Sequence, residues 1–139
     1  MKTLQYCLLF ILSSCAFSKT NVKYNSEKFT RIADYMIKNN IKNKATEQIS
    51  DLQIQKQMKN LGIDLVNVGN YNQLPYEPQD SVVVFLKHGA YMFGKRRRVL
   101  YDYSKEEQLF PDTTINGYRK YVLKRVKKRI YLTKEETGN

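Results

Sequence analysis

Cysteine, histidine and tryptophan are scarce in this chain, which has two Cys, one His and no Trp among 139 residues. Cys7 and Cys15 both lie close to the amino terminus, so the remainder of the chain forms no internal disulfide and depends on its core for stability. With His88 as the single histidine, zinc sites of the Cys/His type are excluded by count. No Asp-rich loop has the spacing of a calcium site. We therefore expect no metal and no cofactor.

Catalytic signatures are also missing. The chain has no glycine-rich phosphate loop, no nucleophile elbow and no paired-histidine helix motif. An enzymatic interpretation depends on Lys87, His88 and Tyr91, which offer an imidazole for proton transfer beside cationic groups, as a metal-free phosphodiesterase or nuclease requires. No carboxylate close in sequence orients that imidazole. The sequence thus favours a non-catalytic binding module, and an enzyme using His88 is the alternative hypothesis.

The amino-terminal stretch 1–18 has the order of features found in an export signal. An early Lys2 is followed by the apolar run Cys7–Leu12 and then by small residues. This stretch resembles a secretory signal peptide, and its apolar core is far shorter than the ~20 residues that a membrane-spanning helix needs. We expect an exported protein, located in the periplasm, at the outer envelope or outside the cell.

Two cleavage positions are compatible with this signal. Leu12–Cys15 resembles the lipobox of bacterial lipoproteins, in which removal of 1–14 leaves Cys15 as the lipid-attachment residue. Ala16–Ser18 instead fits the small-x-small pattern of ordinary signal peptidase, which would remove 1–18. The first cut gives a protein anchored through Cys15, and the second gives a free one. The sequence leaves both open.

The chain after the signal has the length of one domain, since roughly 120 residues can bury most of their apolar surface. The polar stretch 19–25 shows no periodicity and is predicted to be a flexible tether. We predict a single globular domain over 26–134 and a disordered tail over 135–139.

Two helices are expected at the start of this domain. Apolar residues from Phe29 to Ile37 recur at three- and four-residue spacing after Ser26, which can cap the helix. Ser50 and Gln53 form a capping box for a second helix, and Gly62 is placed to end it in the left-handed conformation.

Strand patterns follow Gly62. Segments 63–68, 81–86 and 96–103 are predicted strands, and the last two are expected to pair as a hairpin. Segment 118–133 is ambiguous, since it fits either two strands joined at Lys127-Lys128 or one basic amphipathic helix; β-branched and aromatic residues favour strands. The predicted fold class is α+β, with two N-terminal helices packed on one face of a four- or five-stranded antiparallel sheet.

Positive charge is the strongest signal for a binding function. The chain has 24 basic and 13 acidic residues, a net charge of +11. Basic residues concentrate in two clusters with tyrosines between them, which predicts a surface for anionic lipid, wall polymer or an acidic protein; export argues against nucleic acid. The solvated face of a soluble protein is the simpler explanation of the same pattern. The predicted anion-binding residues are Lys95, Arg96, Arg97, Arg98, Tyr101, Lys124, Arg125, Lys127, Lys128 and Arg129.

Overall fold

The computed structural model describes residues 17–69, 81–87, 95–110, 112–116 and 119–137. Within these ranges the chain forms three α-helices, one short 3-10 helix at Thr46–Gln48 and seven strands. The helices are α1 (Lys19–Tyr24), α2 (Ser26–Lys38) and α3 (Leu52–Leu61). The strands are β1 (Asn43–Ala45), β2 (Leu65–Val68), β3 (Val82–Leu86), β4 (Lys95–Asp102), β5 (Thr113–Asn116), β6 (Arg119–Lys127) and β7 (Ile130–Thr137).

All seven strands belong to one antiparallel sheet with the order β1-β2-β3-β4-β7-β6-β5. The α+β class is confirmed, with helices near the amino terminus. The predicted number of strands, four or five, was too low. Six strands have four or more residues, and β1 is a three-residue edge strand. Both β1 and β5 were missed because strands this short carry little periodicity.

The main core lies between the helices and one face of the sheet, which we call the helix-side face. Phe29 of α2 is fully buried and packs edge-on against Phe85 of β3, with ring centroids 5.1 Å apart. Met58 of α3 and Val99 of β4 are also fully buried in this cluster. The apolar periodicity of α2 therefore marks a core-facing helix.

Segment 118–133 falls mainly in β6 and β7, as the strand interpretation predicts, and the helical alternative was wrong. The two strands pair from Arg119↔Thr137 to Lys127↔Ile130, with a bulge between Arg125 and Lys127. Arg129 in the connecting turn has φ +64°, a left-handed conformation. In a pleated strand alternate residues share a face, so Tyr121 and Leu123 can be buried on the same side.

Helix α3, the second of the two predicted helices, is capped by Asp51 rather than by Ser50. One carboxylate oxygen of Asp51 accepts hydrogen bonds from the backbone N–H groups of Gln53 and Ile54, at 2.9 and 3.0 Å. A carboxylate next to the first turn also interacts favourably with the helix dipole. Gly62 ends the helix with φ +70°, as its position predicts.

The stretch 19–25 is not a tether, because Lys19–Tyr24 forms α1. Ser18 caps this helix by accepting a 3.1 Å hydrogen bond from the N–H of Asn21. Val22 is fully buried, and Phe17 is 3% exposed with its ring 6.2 Å from that of Phe29. The ordered domain thus includes Phe17 and Ser18, which the sequence placed inside the signal.

The opposite face of the sheet carries a second core. Val82, Val84 and Leu100 are almost fully buried there, together with Leu123 and Tyr131. Since both faces hold buried apolar side chains, the tyrosines and basic residues do not share one exposed face.

The carboxyl-terminal strand also extends beyond its predicted limit. β7 continues to Thr137, into the stretch 135–139 that was expected to be disordered. Glu135 is 5% exposed, and it lies between Arg96 of β4 and Tyr121 of β6. Because β7 pairs with β4 on one side and with β6 on the other, residues 135–137 form regular strand structure that their composition does not indicate.

Candidate functional site

The two basic clusters lie on strands that are not neighbours. β4 carries the cluster 95–98 and β6 carries Lys124, Arg125 and Lys127, but β7 lies between them. Adjacent strands are separated by about 4.8 Å, so residues of the two clusters are about 10 Å apart in the sheet plane. Whether they can act together depends on which face of the sheet each side chain occupies.

Arg98 is a buried structural residue. Its guanidinium pairs with the Glu135 carboxylate at 3.5 Å, and both side chains are 6% exposed. A buried ion pair of this kind organises the fold but leaves no cation for a ligand. Arg98 therefore does not belong to an exposed anion-binding surface.

Arg125 likewise has an acidic partner within the fold. Its Nε and Nη2 donate to the two carboxylate oxygens of Glu107, at 3.1 and 2.8 Å. This two-point geometry is the strong form of an arginine–carboxylate contact. The Arg125 side chain is 56% exposed, so its outer edge still faces solvent.

Arg129 fastens the segment after β4 to the β6–β7 turn. Its guanidinium donates to the carbonyl oxygens of Asp102 and Ser104 at 3.1 and 2.6 Å, and to that of Lys105 at 3.3 Å. The backbone N–H of Arg129 also donates to Glu107 Oε1, at 2.8 Å. Arg129 thus has a structural role that its place in a basic run does not reveal.

Tyr131 completes what we call the Glu107 cluster, formed by Glu107, Arg125, Arg129 and Tyr131. The Tyr131 hydroxyl donates to Glu107 Oε1 at 2.7 Å. Burial raises the pKa of Tyr131, and the acceptor Glu107 raises it further because the neutral phenol is the form that donates. Burial also raises the pKa of Glu107, but the bond from Tyr131 and the contacts with the two arginines outweigh it and leave that pKa below its ordinary value.

Asp102, the last residue of β4, binds the segment that follows this strand. Its carboxylate accepts from the N–H and hydroxyl of Ser104, at 3.0 and 2.5 Å, and from the N–H and side-chain amide of Gln108, at 2.6 and 3.1 Å. Burial opposes ionisation of Asp102, but these four hydrogen bonds favour the carboxylate more strongly and lower its pKa. Two ionised carboxylates therefore fix the conformation of residues 103–110.

A groove of about 250 Å³ opens beside the Glu107 cluster. Phe110 forms one wall and packs edge-on against Tyr131, with ring centroids 5.0 Å apart. Leu123 adds apolar surface, whereas Arg125 and Asp112 bring opposite charges to the rim. The groove is therefore of mixed character and has no excess of positive charge.

Positive charge instead concentrates on the helix-side face of β4, β7 and β6, where the strand register brings four basic residues together. Arg97 and Lys134 are directly opposite each other across β4 and β7, and Lys134 is opposite Val122. By strand alternation Lys120 and Lys124 lie on the same face as Val122. We call this set the basic face: Arg97, Lys120, Lys124 and Lys134.

The basic face keeps two predicted residues and adds two that sequence reasoning missed. Lys120 and Lys124 are exposed, and Arg97 and Lys134 are half-buried. In the sequence Lys134 is flanked by Thr133 and Glu135 rather than by other basic residues, so only its register with β4 reveals that it belongs to the basic face. At the end of the same face, Glu136 lies opposite both Lys120 and Lys95 in the sheet.

The other predicted residues on β4 and at the β6–β7 turn lie apart from the basic face. Tyr101 is half-buried against the main core, where burial and then the nearby Asp34 raise its pKa. The exposed Lys127 donates to the Ser26 hydroxyl at 3.0 Å, and Lys128 is exposed in the turn. Tyr101 therefore packs against the main core and does not join the basic face.

The enzyme hypothesis and the anchor hypothesis fall largely outside the described residues. His88, Tyr91 and Cys15 lie there, as do the side chains of Lys95 and Arg96. Lys87 is described and half-buried at the end of β3. The geometry of a His88 site and the attachment of lipid at Cys15 stay predictions.

In the described part of the chain, no group of three or more His, Cys, Asp or Glu side chains could hold a metal ion. No helix in these ranges is both long and apolar enough to cross a membrane. Comparison with protein-family models, curated proteins and solved structures finds no match for this chain. Function is therefore argued from the site itself.

Proposed function

We propose that this protein is an exported, non-catalytic binding module whose basic face contacts the anionic lipid surface of the cell envelope. The observation that carries the proposal is the direct opposition of Arg97 and Lys134, with Lys124 one strand further on the same face. Neighbouring cations on one face of a sheet create a positive potential that attracts anions, so the arrangement is favourable for a surface that binds an anionic ligand.

The packing of Phe17 and Ser18 supports cleavage before Cys15 rather than before Lys19. Cleavage before Lys19 would remove a buried aromatic ring and the residue that caps α1. Cleavage before Cys15 retains both. Consecutive Cα atoms are about 3.8 Å apart, so a lipid on Cys15 would lie within about 8 Å of the Phe17 backbone and would hold the domain close to the bilayer.

Phe17, two residues after Cys15 in the sequence, lies on the same side of the sheet as the basic face. Phe17 and Val22 join the core on the helix-side face, and α1 packs against β6, which carries Lys120 and Lys124. Each basic residue near an anionic membrane contributes about 1 kcal/mol of attraction. The basic face would therefore add to the marginal binding that a single acyl chain provides.

Vesicle sedimentation tests the lipid contact, using the unlipidated polypeptide 16–139 at moderate salt. We expect retention on vesicles containing one quarter phosphatidylglycerol and little on pure phosphatidylcholine. Lys124→Glu and Arg97→Glu should each weaken retention about tenfold, since a reversal removes one attraction and adds one repulsion. Lys44→Glu is the matched control, because Lys44 is exposed on β1 at the opposite edge of the sheet.

Equal retention on neutral and anionic vesicles, or equal loss with Lys44→Glu, would overturn the lipid contact. Retention on a teichoic-acid-type polymer or an acidic protein, without retention on anionic vesicles, would assign the basic face to another partner. The intact mass of the native protein tests the anchor, since a chain starting at acylated Cys15 differs in mass from one starting at Lys19.

A further inference from the structure

We propose that the free edge of β5 is a docking site for an extended, acidic segment of another protein, which adds to the sheet as an eighth, antiparallel strand. Among the described residues, β5 pairs with β6 and has no neighbour on its other side. Strand addition of this kind takes its affinity from main-chain hydrogen bonds. The inference shares Lys120 and Lys124 with the proposed lipid contact, but it also requires the backbone of β5, which the lipid contact does not.

The register shows which backbone groups of β5 do not bond to β6. Leu123 donates its N–H to the carbonyl of Asp112 at 2.9 Å, so these opposed residues form a hydrogen-bonded pair. Such pairs alternate along an antiparallel ladder. Thr114 and Asn116 therefore bond to β6, whereas Thr113 and Ile115 direct their N–H and C=O groups away from the sheet.

Side chains on β5 do little to protect this edge. Thr113 is exposed, and Ile115 is 73% exposed although it is a large apolar residue. The four residues Thr113–Asn116 contain no charge and no proline, the usual devices that prevent edge-to-edge pairing. Ile115 provides an apolar contact for a residue on an incoming strand.

The opposite edge strand of the same sheet, β1, is protected against strand pairing and can be compared directly with β5. β1 has three residues and carries the exposed Lys44. The outward N–H of Ala45 is already bonded to the side chain of Gln48 at 3.1 Å. The 3-10 helix at Thr46–Gln48 then turns the chain away from the edge. Edge pairing is thus discouraged at β1 and open at β5.

Charge selects the partner. Ile115 is opposite Lys120 on β6, and Lys124 follows on the same face. A residue added opposite Ile115 would be about 10 Å from the Lys120 backbone, within reach of a glutamate and a lysine side chain extended toward each other. A second copy of this chain would bring another +11 net charge and is disfavoured. An acidic strand would form backbone hydrogen bonds with β5 and would also be attracted by the neighbouring lysines.

The test uses the polypeptide 16–139 and a fluorescein-labelled, end-blocked peptide, Glu-Thr-Val-Thr-Val-Thr-Glu, in fluorescence anisotropy. Ile115→Pro removes one outward N–H and leaves the bonds to β6 intact. We expect it to weaken binding at least about tenfold. Thr113→Pro removes the other outward N–H and serves as the second variant. Asn43→Pro is the matched control, because Asn43 is at an outward position of β1 by the same alternation.

Far-ultraviolet circular dichroism and a urea midpoint establish that each variant is folded. A peptide in which lysines replace the two glutamates should bind at least about tenfold more weakly. The proposal is overturned if wild type does not bind the acidic peptide, if Ile115→Pro and Asn43→Pro bind it equally, or if the lysine peptide binds as well. A concentration-dependent dimer that Ile115→Pro abolishes would assign the edge to a second copy and overturn the acidic partner. Vesicle retention of Ile115→Pro should match wild type, which separates this result from the lipid contact.

Discussion

The hydroxyl of Tyr131 donates a 2.7 Å hydrogen bond to Oε1 of Glu107, which also accepts from the backbone N–H of Arg129 at 2.8 Å. One carboxylate oxygen thereby connects β7, the β6–β7 turn and the segment after β4. The other oxygen, Oε2, accepts from Arg125 at 2.8 Å. Glu107 is thus the common acceptor that joins the segment after β4 to β6, to β7 and to the turn between them.

Glu107→Gln should destabilise the fold by about 1–3 kcal/mol, because an amide cannot accept all of these hydrogen bonds and its NH₂ group meets donors. A urea denaturation series measures the change. Glu106→Gln makes the same substitution at an exposed neighbour and should stay within about 0.5 kcal/mol of wild type. Equal losses of unfolding free energy in the two variants would show that the hydrogen bonds to Glu107 do not stabilise the fold.

Stability should fall on acidification because the pKa values of both Asp102 and Glu107 are lowered in the folded protein. A carboxyl group whose pKa is lower in the folded state stabilises the fold at pH values above its unfolded pKa, near 4. That stabilisation is lost as the pH falls through the folded pKa. The urea midpoint measured from pH 6 to pH 2.5 should therefore decline below about pH 4.5. Asp102→Asn should lower the urea midpoint at pH 6 and make the midpoint depend less steeply on pH. If the midpoint of this variant falls as steeply with acidification as that of wild type, Asp102 does not contribute to the pH dependence.

Phe17→Ala should cost about 2–4 kcal/mol in the polypeptide 16–139, because the ring is buried against Phe29. Thermal or urea unfolding gives the value. Tyr24→Ala removes another aromatic ring near the same helix, but Tyr24 is 86% exposed, so its loss should stay within about 0.5 kcal/mol. A polypeptide that begins at Lys19 should show at least the Phe17→Ala loss. Unchanged stability would mean that the domain begins after Ser18.

Arg98→Ala should destabilise the fold by about 3–5 kcal/mol, since it leaves the buried Glu135 carboxylate without its arginine. Replacing both partners with apolar residues of similar size, Arg98→Met with Glu135→Leu, should recover most of the loss. A double-mutant cycle in urea measures the coupling. Additive single losses, with no recovery in the double variant, would show that the two side chains do not interact.

Sequence reasoning succeeded where a segment carries its own periodicity. The apolar spacing in α2, the left-handed stop at Gly62 and the continuous apolar run of β3 each depend on neighbours in sequence, and the structure has all three. The β6–β7 hairpin was identified from its β-branched and aromatic content. These features arise from local conformational preference, which the sequence displays directly.

Long-range contacts account for what the sequence did not reveal. Lys19–Tyr24 has one fully buried side chain, Val22, and no apolar periodicity, so its helix depends on packing against β6 as well as on the Ser18 cap. Arg98 reads as part of a solvated basic run, and only its contact with Glu135 in β7 explains its burial. The basic face likewise required the register that brings Lys134 beside Arg97.

The position of β7 has a consequence for how the chain acquires its structure. β7 is the last strand along the sequence, yet it is inserted between β4 and β6. Until Ile130–Thr137 has been synthesised, no strand joins the β1–β4 part of the sheet to the β5–β6 pair by backbone hydrogen bonds. The growing polypeptide therefore cannot complete its sheet until β7 has left the ribosome.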